Sequence, residues 1–184
     1  MARSVTVPAR IAWAVELLRV QPDDRILEVG SGPGVAAGLV ASQLGPTGRL
    51  TAIDRSRTAV DRVVARHPEL LASGRLVLHH VELARLDGVL AGDDGSGGGE
   101  PFHKALAVNV NLFWTTAARV ECAVLHRLLV PGGDVFLVYG GAGPGERRDI
   151  APGIAAKLER AGFGPRIAAG PDGRSVCVIG RRLD

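Results

Sequence analysis

Short apolar bursts alternate with stretches of helical periodicity along almost the whole chain. Pro8 to Arg19 predicts a helix, with Pro8 in its first turn and Ile11, Val15 and Leu18 on one face. Arg25 to Val29 predicts a short buried strand, and Gly34 to Leu44 a helix closed by Gly45 and Pro46. Leu50 to Ile53 reads as a second strand, and Ser56 to Arg66 as a helix that stops before Pro68. A third strand over Arg75 to His80 leads into a weaker helix around Ala84 to Leu90. The tract Gly92 to Gly99 is polar and glycine-rich, the composition of a flexible loop tip. A fourth strand, Lys104 to Val110, is apolar almost throughout. Thr115 to Leu129 predicts a helix ending in the turn Val130 to Gly133, which feeds a fifth strand, Asp134 to Tyr139. A glycine-rich loop, Gly140 to Gly145, precedes a helix near Asp149 to Ala161. Two short strands close the pattern, Arg166 to Ala169 and Ser175 to Gly180, joined through Gly170 to Gly173 by hairpin chemistry.

Strands that alternate with helices imply a mostly parallel α/β sheet, doubly wound, covered on both faces. The terminal hairpin adds an antiparallel edge. Ligands on such sheets bind beyond the carboxyl ends of the strands. The length of 184 residues fits a single domain over 1–184, with an N-terminal helical segment over 1–21. The 25 glycines and 11 prolines favour many short elements and argue against a helical bundle.

Charge and cysteine content narrow the function classes. The net charge is +3, and Lys104 and Lys157 are the only lysines among 22 basic residues. The arginines are scattered rather than striped, which argues against a nucleic-acid surface. Cys122 and Cys177 sit in apolar runs without ligand spacing, as small core residues in a reducing compartment, with no metal site implied. No apolar stretch reaches the length of a membrane span, so a soluble, cytoplasmic protein is expected.

The sharpest chemical feature is Glu28-Val-Gly30-Ser31-Gly32-Pro-Gly34, a strand running into alternating glycines that open a helix. Glycine there permits unusual backbone angles and close approach of a ligand. The dinucleotide fingerprint wants its third glycine at position 35, which is Val35. Asp54 ends the second strand about 20 residues on, where a carboxylate can accept from ribose hydroxyls. Glu82 follows the third strand, where it could face the exocyclic amine of an adenine. Each of these features alone is compatible with an ordinary turn; three acids after three successive strands point to one ligand.

From Pro22 to Arg182 the chain resembles the class I S-adenosylmethionine-dependent methyltransferases. Glu28 to Gly34 resembles their first motif, Asp54 their ribose acid, His80-Val-Glu82-Leu83 their adenine-side motif and Leu129 to Gly133 the turn before strand five. The resemblance implies a Rossmann-like seven-stranded sheet with its last strand antiparallel, and S-adenosyl-L-methionine as cofactor. It implies cofactor contacts from Glu28, Gly30, Ser31, Gly32, Gly34, Asp54, Arg55, Glu82, Leu83 and Asn109. Two departures bear on the acceptor. Phe102-His103 stands where many relatives have Phe-Asp, and Asn109-Val-Asn111-Leu-Phe-Trp114 is not the signature of relatives that methylate planar amino groups.

Methyl transfer is an in-line displacement whose acceleration can come from positioning and desolvation. No catalytic base is therefore demanded, and none is assigned. Asn111, Trp114 and Tyr139 are the candidate substrate contacts, whereas Trp13 reads as a packing residue and none of the five histidines is assigned a catalytic role. A small-molecule acceptor is expected, and a homo-oligomer is left open. The rival readings are an NAD(P)-dependent oxidoreductase and a non-catalytic S-adenosylmethionine-binding protein of the same fold.

Overall fold

The computed structural model describes residues 7–91, 99–140 and 150–184. Most of the Gly92 to Gly99 tract and of the Gly140 to Gly145 loop lie outside the described residues. In chain order the elements are α1 (Ala9–Leu18), β1 (Arg25–Val29), α2 (Val35–Ala41), β2 (Arg49–Asp54), α3 (Arg57–Arg66), α4 (Pro68–Ala72) and β3 (Leu76–His80). A 3-10 turn at Leu83–Arg85 enters α5 (Leu86–Ala91), followed by β4 (Phe102–Val108), α6 (Leu112–Thr115), α7 (Arg119–Leu128) and β5 (Leu129–Tyr139). The chain closes with α8 (Ile150–Arg160), β6 (Phe163–Ala169) and β7 (Val176–Arg182).

The seven strands form one sheet in the order β3-β2-β1-β4-β5-β7-β6. Pairing is parallel from β3 through β5 and antiparallel on both sides of β7. The antiparallel C-terminal hairpin is present as expected, with the last strand, β7, reversed, but that strand is not the edge of the sheet. β7 slots between β5 and β6, because the crossover through α8 leaves a gap one strand wide, and the edge strand is β6.

Alternation along the strands divides the core into two layers. Ile26 of β1 and Phe136 and Val138 of β5 pack with α1, α2 and Val63 of α3. Leu27, Val135 and Leu137 point to the opposite face, against α7, α8 and the Leu83–Leu86 turn. Trp13 on α1 is half-buried against the first layer, as a packing residue.

Four local expectations change. β4 stops at Val108 rather than Val110, because Asn109 adopts a left-handed φ of 55° that ends the pleat. The Pro131-Gly-Gly133 turn is absorbed into β5 as a bulge. Phe102 pairs with Leu129 and Lys104 with Asp134, and Gly132 at φ 72° carries the extra residues. The helix read over Thr115 to Leu129 is two pieces, broken at Ala118 (φ 49°), whose amide donates to Thr116 Oγ1 at 3.1 Å. Pro68 opens a further helix, α4, with the proline in its first turn.

At the amino-terminal rim, Asp24 is almost wholly buried and accepts from Lys104 Nζ at 2.5 Å and from the Gln21 amide at 2.7 Å. Lys104 also donates to Arg19 O at 3.1 Å, so one ammonium ties the end of α1 to β1 and β4. His103, within β4, accepts the Arg25 amide at Nδ1 (3.0 Å), which assigns it to this rim and away from the carboxyl ends.

Removing one partner of a buried ion pair leaves the other charge unpaired. Lys104→Met is expected to lower unfolding free energy by about 2–3 kcal/mol. Adding Asp24→Asn should recover part of that loss, which a double-mutant cycle in urea reads directly; additive losses would show the pair to be uncoupled.

Candidate functional site

At the carboxyl ends of β1, β2 and β4 a cleft of about 670 Å³ opens, within the range of small-ligand sites. One side is the glycine turn after β1. Gly30 and Ser31 donate their amides to Ile53 O at 2.8 and 3.1 Å, and Gly34 closes the turn onto Ser31 O at 2.9 Å. Gly30 has φ 73°, and a Cβ there would meet Val110 Cγ2 at 2.6 Å, so no side chain fits. Gly32 has φ 51° and nothing within 4 Å of a Cβ position, so its backbone faces open space in the cleft.

Asp54, at the end of β2, holds this turn in place. One carboxylate oxygen accepts from Gly32 N at 2.9 Å and the other from Ser56 N at 2.8 Å. Two-point anchoring leaves each oxygen with a further lone pair for a ligand hydroxyl. Arg55, Glu82 and Leu83 line the same side, with Glu82 and Arg55 exposed and Leu83 buried.

Glu28 lies below the turn, 4% exposed, and does not line the cleft. Burial, reinforced by the nearby charge of Asp54, pushes its carboxyl up to about 8. Its Oε2 and the buried Ser31 Oγ have no hydrogen-bond partner among the described residues. Orphaned buried polar atoms beside an open backbone cradle mark a place for a polar ligand. The residues present thus fit a cofactor with a polar end at the turn and a ribose near Asp54.

The opposite wall is built by Val108 to Leu112, Thr115, Thr116 and Glu121. Asn109 lines it, but its amide is turned to the backbone: Nδ2 donates to Gly140 O at 3.1 Å and Oδ1 accepts from Gly140 N at 3.0 Å. The side chain thereby locks the ends of β4 and β5 together. Tyr139 does not line the cleft; it is fully buried and donates its hydroxyl to Val110 O at 2.9 Å. Trp114 lies outside the lining as well, 42% exposed on α6, with its indole donating to Asn111 Oδ1 at 3.3 Å. Lys157 of α8 reaches across to donate to Phe113 O at 3.0 Å and Thr116 O at 2.7 Å, clamping the wall from behind.

Of the residues read from the sequence, Gly30, Gly32, Asp54, Arg55, Glu82, Leu83, Asn109 and Asn111 meet in the cleft. Glu28, Ser31 and Gly34 support it from outside the lining, and Trp114 and Tyr139 lie elsewhere. Thr115, Thr116 and Glu121 were not anticipated, because a helix read as continuous from Thr115 gave no reason to fold that segment against the cleft. Among the described residues no cluster of potential metal ligands occurs, and no helix is long and apolar enough to cross a membrane.

A seven-stranded sheet with β7 reversed and a glycine turn anchored by the β2 acid is the fold of the class I S-adenosylmethionine-dependent methyltransferases. Solved structures share the fold. A SAM dependent methyltransferase from Aquifex aeolicus superposes with a TM-score of 0.75 at 13% identity, covering 96% of this chain and 94% of that one. The [4+2]-cyclase SpnF superposes at 0.72 with 16% identity, over 94% of this chain and 80% of that one, so the fold alone does not settle the chemistry.

Sequence goes further. The family model of protein-L-isoaspartate(D-aspartate) O-methyltransferase matches residues 1–98, and the chain belongs to that family. A protein-L-isoaspartate O-methyltransferase from Salinibacter ruber is 30% identical over 168 residues, 89% of this chain. The chain spans 62% of the length of that relative. These findings correct the small-molecule acceptor expected above, since the relative is named for methylating a protein residue. The family match favours methyl transfer over the oxidoreductase reading.

Glu28 supplies a test of the site's electrostatics. In the unfolded chain its carboxyl ionises near its ordinary 4.5, and in the fold near 8, so folding takes up a proton between those values and stability falls as pH rises. Glu28→Gln should therefore melt higher than the wild type in the cofactor-free protein. The gain should be near zero around pH 4 and grow to a plateau above pH 8, followed by thermal unfolding across that range. A gain independent of pH would mean that the folded carboxyl is already ionised at neutral pH.

Proposed function

We propose that the chain transfers a methyl group from S-adenosylmethionine to a carboxylate of a protein or peptide, with an L-isoaspartyl residue as the acceptor. The observation that carries this reading is the family match over residues 1–98, which include the glycine turn, Asp54 and Glu82. When bound, the cofactor supplies an electrophilic methyl on a sulfonium. In this reading Gly30 and Gly32 present backbone to it, Asp54 accepts from its ribose and Glu82, Leu83 and Arg55 flank its adenine. Glu28 and Ser31 support the turn from behind, outside the cleft lining.

The acceptor chemistry asks little more of the protein. A carboxylate is already ionised at neutral pH, so its oxygen attacks without losing a proton and no general base is needed. Val108, Val110 and Leu112 place apolar side chains in the wall, between Asn109 and Asn111. Asn111, Thr115 and Thr116 both line the cleft and face solvent, which makes the wall continuous with the outer surface where a polypeptide can lie.

Calorimetry should detect binding of S-adenosylmethionine and S-adenosylhomocysteine but not of NAD(H). Asp54→Ala should weaken cofactor binding by about tenfold to a hundredfold, through loss of the ligand bond and release of Gly32. With radiolabelled methyl donor, an L-isoaspartyl peptide should acquire a base-labile ester while the same peptide with ordinary aspartate does not. Cofactor binding without any ester would leave a non-catalytic binding protein as the correct description.

A further inference from the structure

The elbow between α3 and α4 carries a group that neither the motif nor the cleft lining reveals. His67 sits at that junction, closing α3 and opening α4. Its Nε2 lies 2.7 Å from Gly34 O. A carbonyl can only accept, so Nε2 carries the proton and donates. The same carbonyl accepts the Gly38 amide at 3.2 Å, the first helical bond of α2. The ring lies in a notch made by two glycines: a Cβ on Gly34 would fall 3.2 Å from its Cδ2, and one on Gly38 only 2.7 Å from its Cε1. Glycine inside a helix is unfavourable relative to alanine, and Gly38 has this steric reason to be there.

We propose that His67 is a positioning residue for the cofactor cleft, fixing the Gly34 peptide so that the turn closed by Gly34 N and Ser31 O presents Gly32 at the angle Asp54 holds. The inference rests on the cofactor reading above. It links α3 and α4, which supply no residue of the cleft lining, to the backbone that does.

The test compares wild type, His67→Gln, His67→Leu and Gly38→Ala. Amide hydrogen exchange over residues 30–38 is followed in the cofactor-free protein, and S-adenosylhomocysteine affinity by calorimetry. Gln can place a donor where Nε2 stood; Leu cannot. His67→Leu should speed exchange across the turn and weaken binding by about tenfold each, the worth of one lost hydrogen bond to a fixed backbone. His67→Gln should stay within about threefold of wild type. Gly38→Ala, which crowds the ring without removing its donor, should resemble His67→Leu and add nothing further when combined with it. It decides the matter if His67→Leu does not fold. Equal behaviour of Leu and Gln, or a Leu variant indistinguishable from wild type, overturns the proposal. A wild type that does not bind S-adenosylhomocysteine would sink the cofactor reading, whereas the exchange measurement would still decide the role of His67.

Discussion

The carboxylate of Asp54 is the constraint on which the cleft depends. Parallel pairing brings the ends of β1 and β2 side by side, and the two chains must then diverge without leaving amides unpaired. Asp54 resolves this with one side chain, taking Gly32 N on one oxygen and Ser56 N on the other. The first bond sets the glycine turn and the second starts α3. Gly30, Gly32 and Gly34 all have positive φ, and the Ser31 hydroxyl makes no hydrogen bond among the described residues, so no polar side chain within the turn fastens it. Its geometry is imposed by neighbours: Ile53 O from β2, Val110 against Gly30, and Asp54 from the side.

The two lysines of this arginine-rich chain do comparable structural jobs at opposite ends of the sheet. Lys104 satisfies buried Asp24 and the last turn of α1, and Lys157 satisfies two carbonyls at the end of α6. Both positions ask for a compact charge whose donors converge on oxygens from different directions, which an ammonium provides and a planar guanidinium does not. Surface arginines elsewhere pair loosely, as Arg57 does with Asp61 along α3, and such exposed pairs contribute little.

Legibility in the sequence followed the range of the interactions involved. Strand β1 was readable to the residue because a burst of apolar residues ends in glycines, and the cofactor side was readable because its residues follow their strands directly. The acceptor-side wall was not. Asn109 lines the cleft, but the two bonds of its amide to Gly140, thirty-one residues away, have no local signal. Tyr139 looked like a rim residue, but alternation along β5 turns it into the core beneath Val110. The break between α6 and α7 has no proline or glycine to announce it; Thr116 and the left-handed Ala118 make it, with Lys157 capping from another helix.

What the amino-acid sequence determined alone was most of the strand-and-helix order, the glycine turn and the acids at or just beyond the ends of the first three strands, because these depend on neighbours within a few residues. The sheet order, the insertion of β7 between β5 and β6, the raised carboxyl of Glu28 and the seating of His67 were decided only by the tertiary structure. Each of these is a matter of which groups are brought together and which are removed from water, and burial is a property of the assembled layers rather than of any single segment.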